Sequence, residues 1–270
     1  MIKPVKKESE TLKNFTLFLG GLLLCIAVWE IIAYSTNQVF LPDFFLTLGR
    51  MFTLLGKKIA YVSLGYSLLR ILISFVISGL LGVVLGLLGG YYPSLSKLLR
   101  PLVTVLRSIP TIAVVLLLAV YVKNFSLYVV GIVLFPVIYQ ATLEGSSTIY
   151  KTYEYELLLK GRKHWLSNIG RVILPLSMDY ILLGLIQALG LGFKVEIMAE
   201  TFAYSNTFKG LGKIIYTCYS NVEYEDMMAY VLIAVFTSLI FDGLLLLGRN
   251  YLEKKIGISK KENSTDLVIK

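Results

Sequence analysis

Six long apolar runs, at residues 15–34, 66–90, 102–121, 126–143, 176–198 and 227–248, alternate along this chain with short polar segments. An apolar helix needs roughly 20 residues to cross ~30 Å of hydrocarbon, and each run is close to that length. A spanning segment must also satisfy its own backbone hydrogen bonds. The runs are too long and too uniformly apolar for barrel strands, so the pattern predicts an all-α polytopic membrane helix bundle of about six transmembrane helices. It divides into a tail at 1–14, a first helix at 15–34, a loop at 35–65, a core of five helices at 66–248 and a tail at 249–270. Inside the core, residues 144–175 form a polar interruption. Within 35–65, Phe44, Leu48, Phe52 and Leu55 follow Leu41-Pro42-Asp43 at helical spacing. They predict an amphipathic helix at the membrane surface, its apolar face on protein or on lipid.

Composition agrees with a bilayer. Hydrophobic residues make up 56% and charged ones 16%, and mean hydropathy is +0.74; soluble domains have roughly 45–50% and 25%. The first run exceeds the 7–15 residues of a secretory signal core and no small-x-small site follows it, so it reads as a retained span.

The net charge of +9 is unevenly placed. With the N-terminus inside, segments 1–14, 91–107, 144–175 and 249–270 hold 18 of the 26 Lys and Arg residues, and positive loops stay cytoplasmic. Both termini are therefore expected in the cytoplasm, in the cell's inner (plasma) membrane, and the charge reads as a topology signal with no nucleic acid partner. The opposite side is mildly acidic: 199–227 carries Glu200, Glu223, Glu225 and Asp226 against Lys209 and Lys213.

Catalytic chemistry is sparse. His164 is the single histidine, and Cys25 and Cys218 lie far apart, which leaves no basis for a histidine triad, a metal site or a disulfide framework. Gly210-Leu211-Gly212-Lys213-Ile214 lacks the first glycine and the Ser/Thr of a phosphate loop. No cofactor is expected in this chain, and any nucleotide energy must be supplied by another. Glu30, Arg70, Asp179, Lys194, Glu196 and Asp242 are the ionisable residues of the runs. Most lie near run ends, within reach of headgroups; Asp242 is deepest, as a path residue or half of a buried pair. Gln140 and Gln187 are interhelical hydrogen-bonders or path residues. With Arg107 and Glu200, these two and Asp242 are the candidates for a translocation path. Ser78, Gly82, Gly86 and Gly90 line one helix face at a spacing of four and predict close helix packing, within the chain or across a dimer.

In 144–175, Ile149, Tyr153 and Leu157 recur at helical spacing, and Gly161 is placed to end that helix in a left-handed cap. A short helix of this kind either docks in a groove on a soluble partner or lies on headgroups through Lys160, Arg162 and Lys163. The segment resembles the cytoplasmic coupling motif of ABC importer permeases, Glu-Ala-Ala, three residues, Gly, nine residues, Ile-x-Leu-Pro. Gly161 matches the glycine, Trp165 follows, and Val172-Ile173-Leu174-Pro175 matches the ending. The position six before the glycine is Tyr155, flanked by Glu154 and Glu156, and Gly161 to Pro175 is one residue longer than the motif. Arg100-Pro101, Leu106-Arg107-Ser108-Ile109-Pro110, Ser67-Leu68-Leu69-Arg70, Ala199-Glu200 and Lys209-Gly210-Leu211-Gly212 are similar to the nitrate/sulfonate/taurine class of these permeases.

That resemblance implies a type I importer permease fold and a non-catalytic subunit. It also implies a cytoplasmic ATPase that binds the ATP, an external solute-binding protein, and a second permease copy, with a homodimer as the working expectation. The ATPase dock is expected at Glu154, Glu156, Leu157, Leu158, Gly161, Trp165 and Pro175. The solute implied is nitrate-, sulfonate- or taurine-like, or a small vitamin precursor. The rival reading is a self-contained secondary carrier or channel, which requires an inverted repeat or broken helices; the sequence shows no internal repeat. A membrane enzyme needs clustered His, Asp, Glu or Cys, which the single histidine disfavours.

Overall fold

The computed structural model describes residues 5–37, 40–159, 164–203 and 208–256, and every regular element among them is helical. In chain order these are α1 (Val5–Ser35), α2 (Phe44–Leu55), α3 (Lys58–Tyr91), α4 (Pro93–Ser108), α5 (Thr111–Tyr121) and α6 (Phe125–Thr152). There follow α7 (Glu154–Leu159), α8 (Trp165–Asn168), a π-helical stretch at Ile169–Ile173, α9 (Leu174–Leu176), α10 (Met178–Thr201), α11 (Leu211–Ser220) and α12 (Tyr224–Ile256). Lys58–Tyr91, Phe125–Thr152, Met178–Thr201 and Tyr224–Gly248 are long and apolar enough to cross a membrane. The expected first span falls in α1, whose stretch Leu19–Ser35 is apolar but shorter.

The expected third span, 102–121, is not one helix. It breaks at Ile109-Pro110 into α4 and α5, which meet at 88°. Pro110 supplies no backbone N–H and disfavours helical geometry at the residue before it; Ile109 is accordingly extended, at φ −70° and ψ 127°. α6 in turn runs nine residues past the expected end of the fourth span, so Glu144 to Thr152 are helix continuing from the span.

Packing divides the chain into two compact units, one of Met1–Ser63 with Ile214–Ala234 and one of Leu64–Lys213 with Val235–Lys270. In the first, Asp43 caps α2 by accepting from Leu46 N at 3.0 Å. Trp29 Nε1 donates to Pro42 O at 3.0 Å and Phe44 N donates to Glu30 Oε1 at 3.1 Å. These anchors, with the Arg50–Asp226 pair, set the rotation of α2. Thr47, Met51 and Leu54 are buried while Phe45 and Phe52 are exposed, so the Phe44/Leu48/Phe52/Leu55 stripe is not the buried face. Cys218 is buried, and burial, reinforced by Glu223 and Asp226, pushes its thiol up to about 11; it stays protonated at neutral pH.

In the second unit α3 lies close along α6. A Cβ on Gly86 would stand 2.6 Å from Thr142 Cβ, and one on Gly90 2.0 Å from Ser146 Oγ. Glycine is required there because the two backbones approach too closely for any side chain. Ser74 Oγ donates to Leu127 O, Ser78 Oγ to Gly131 O and Ser146 Oγ to Gly86 O, at 2.7 to 2.9 Å. The small-residue stripe therefore packs within the chain. α6 also packs along α10, burying Val129, Val130, Leu134, Ile138, Ala188 and Val195 in one cluster.

Candidate functional site

Charged and polar residues gather at three places in the second unit. The first is a buried node joining the first half of α3, the end of α10 and the start of α11 with the residues just before it. The Ser67 hydroxyl stands 2.7 and 2.9 Å from the two carboxylate oxygens of Glu200. Arg70 Nη1 donates to Glu200 Oε1 at 2.8 Å, and Gly212 N to Oε2 at 2.8 Å. Arg70 Nη2 donates to Lys209 O at 2.7 Å, and its guanidinium lies 4.1 Å from the Phe208 ring centre. Leu211 N donates to Ser67 Oγ at 2.9 Å. Glu196 Oε1 accepts from Ser126 Oγ at 2.9 Å and lies 3.6 Å from Arg70 Nη1; its Oε2 has no hydrogen-bond partner among the described residues.

Both glutamates are fully buried. Arg70 and Glu196, expected near headgroups, instead pair inside the protein, because a charge removed from water needs a charged, hydrogen-bonded partner. Glu200 is correspondingly a clamp: its carboxylate is committed to Ser67, Arg70 and Gly212, which leaves it no free face as a path residue. The glycines of Lys209-Gly210-Leu211-Gly212 gain a reason. A Cβ on Gly210 would meet Glu200 Oε1 at 2.2 Å, and one on Gly212 would meet Ile197 O at 2.1 Å.

The second place is the polar segment after α6. Its apolar stripe does not stay on one helix, because the helix breaks at Tyr153. Leu157 is 3% exposed and packs with Leu87, Tyr91, Ile169, Ile173 and Ile181, with Ile149 and Trp165 against them. Asn168 Nδ2 donates to Tyr91 Oη at 3.3 Å, and the Trp165 ring is 6.4 Å from that of Tyr92. Leu157, buried, and Trp165, half-buried, thus hold the segment to the end of α3. Glu154, Glu156 and Pro175 are exposed, and so are Tyr155 at 74%, Leu159 at 70% and Leu166. The last three are an apolar surface that the helical-spacing argument missed. Gly161 lies outside the described residues, as does the side chain of Leu158. The π-helical stretch Ile169–Ile173 precedes Leu174-Pro175. A π turn takes up one residue more than an α turn, the length by which this chain exceeds the motif.

The third place is a cavity of about 440 Å³ between α4 and α6, lined by Lys97, Arg100, Arg107, Tyr139 and Gln140 among others. Arg107 Nη1 donates to Gln140 Oε1 at 2.8 Å, so two of the expected path residues meet here. The other two stand elsewhere: Gln187 is exposed on α10, and half-buried Asp242 reaches within 3.3 Å of a Cβ built on Gly190.

Comparison with known proteins places these features in context. The family described as "binding-protein-dependent transport system inner membrane component" matches residues 80–258. The chain is 26% identical over 252 residues to the putative aliphatic sulfonates transport permease protein of Bacillus subtilis, covering 88% of this chain and 87% of the relative. It is 23% identical over 248 residues to the taurine transport system permease protein of Escherichia coli, covering 88% and 89%. A bicarbonate transport system permease protein of Synechococcus elongatus is 26% identical over 259 residues, covering 88% and 89%.

Proposed function

This chain belongs to the binding-protein-dependent transport system inner membrane components, as an ABC importer permease of the sulfonate/taurine/nitrate class; from that premise we propose how it works. It is the non-catalytic permease subunit that moves a small solute inward across the plasma membrane by alternating access. Two copies form the path. An external solute-binding protein delivers the solute, and two cytoplasmic ATPases, which bind the ATP, dock on residues 144–175. Both termini face the cytoplasm, as the Lys/Arg asymmetry supports. The solute is sulfonate-, taurine- or nitrate-like, or a small vitamin precursor.

The observation that carries this reading is the form of the 144–175 segment. Leu157 and Trp165 hold it to the second unit's core while Glu154, Tyr155, Glu156, Leu159 and Leu166 stay exposed. A surface joined to the helices from beneath transmits a partner's displacement as rigid-body motion. Tyr155 and Leu159 supply the apolar anchor, and the two glutamates fix register.

The rival, a self-contained carrier, draws support from the 88° break between α4 and α5, since broken helices mark carrier binding sites. Co-expression with a candidate ATPase from the same source separates the two. The parent chain is expected to co-purify with the ATPase. The Tyr155→Ala/Leu159→Asp variant and the Glu154→Lys/Glu156→Lys variant are each expected to lose it at least about tenfold, as for central interface residues, with thermal stability unchanged. Retention of the ATPase by both variants would remove the docking assignment and return the carrier reading to first place.

A further inference from the structure

Lys97, Arg100, Thr104 and Arg107 follow one another at intervals of three and four along α4, so one helix face carries three cations into one cavity. Like charges at this spacing repel. No acidic side chain lines the cavity among the described residues, and the ion pairs found there join Arg50 and Arg70 to carboxylates elsewhere. Cytoplasmic retention of the segment needs positive charge somewhere on it; it does not need that charge aligned around a cavity.

A second observation points the same way. Tyr139, on α6, lines the cavity too and is buried, and its hydroxyl has no hydrogen-bond partner among the described residues. A buried hydroxyl left unpartnered is costly, and an acceptor oxygen inside the cavity removes that cost. Gln140 gives its amide oxygen to Arg107, which leaves its amide nitrogen as a further donor. Lys97, Arg100 and Arg107 are thus joined by two donors, while the Ser96 and Thr104 hydroxyls of the lining give their protons to Pro93 O and Arg100 O.

We propose that this cavity is an oxyanion site, taking a phosphate, sulfate, sulfonate or carboxylate group between Arg100, Arg107 and Lys97 on α4 and Tyr139 on α6. Guanidinium groups suit such anions through paired, charge-assisted hydrogen bonds. At about 440 Å³ the cavity has room for the anionic group and a small substituent. A bound anion bridges α4 to the middle of α6, just before residue 144. Two sources offer this chemistry, the phosphate of an anionic lipid headgroup and a free solute oxyanion. Neither depends on an ATPase partner, so the site stands or falls separately from the docking assignment.

The test uses the full chain in two kinds of nanodisc. In phosphatidylcholine discs, thermal unfolding is titrated with sodium sulfate against sodium chloride of equal ionic strength. In discs containing phosphatidylglycerol, native mass spectrometry counts the anionic lipids retained. The parent is expected to show saturable stabilisation by sulfate beyond chloride, retained phosphatidylglycerol, or both, and the arm that responds identifies the source. Arg100→Gln/Arg107→Gln is expected to weaken that response at least about tenfold, from lost charge-assisted hydrogen bonds, and Tyr139→Phe several-fold. A parent that responds in neither arm, or a double variant that responds like the parent, overturns the proposal. Should the double variant not be recovered folded, Lys97→Gln at an exposed position decides alone: a response equal to the parent's overturns the site.

Discussion

Arg70 and Arg50 make the same chemical contact under opposite conditions. Arg70, its side chain 11% exposed, faces two fully buried glutamates and also donates to a backbone carbonyl. Arg50, 40% exposed, grips Asp226 through both Nε and Nη2, and that carboxylate raises the arginine's pKa further above its ordinary value. The surface pair has the more favourable fork geometry, yet water screens it and replaces it readily when it breaks. The node has no such replacement, so its arginine is indispensable to two carboxylates and to the three chain segments they join. Burial, more than hydrogen-bond count, decides which contact the fold depends on.

The largest effect is expected of Arg70→Met. Leaving the glutamates buried without their cation is expected to cost about 3–5 kcal/mol, read as a large fall in thermal stability in detergent; a small fall would mean that water reaches the node. The 144–175 segment offers the same contrast between apolar neighbours. Leu157→Ala is expected to cost about 2–5 kcal/mol, because it opens a cavity in the cluster around Ile173, whereas Leu159→Ala, two residues on, stays within about 0.5 kcal/mol. Equal effects would show that Leu157 does not anchor the segment. Arg50→Gln is expected to cost under about 1 kcal/mol, and less at high salt. A salt-independent loss as large as that of Arg70→Met would erase the distinction.

Much of the fold was legible because the signals are local. A long apolar run states its own helix, and the spacing of Gly82, Gly86 and Gly90 states a close approach before its partner is known. The α4–α5 break was legible in Ile109-Pro110 but outweighed by continuous hydrophobicity, which does not register the backbone donor that proline lacks. The Phe44 stripe gave the α2 helix but not which of its faces is buried in the protein. Periodicity reports which face is apolar, whereas the rotation of α2 follows from the bond of Phe44 N to Glu30 and from the bond of Trp29 to Pro42 O just before the helix. The surface proposed for docking was half legible: charge marked Glu154 and Glu156, but the turn at Tyr153 moved Leu157 inward and left Tyr155 and Leu159 outward.

Local signals along the chain are enough to establish a helical membrane protein of the ABC permease class, with a polar segment distinct from its apolar runs. Those properties follow from the hydrophobicity of continuous segments and from short motifs, each carried by neighbouring residues. Which charges are paired emerges from the packing of the helices. Ser67, Arg70, Glu196, Glu200 and Gly212 are separated by as many as 145 positions and meet at one buried point. Lys97, Arg100 and Arg107 share a cavity with Tyr139 and with no acid among the described residues. A charge in apolar surroundings is defined by what lies within a few ångströms of it, and that neighbourhood exists only once the helices have packed.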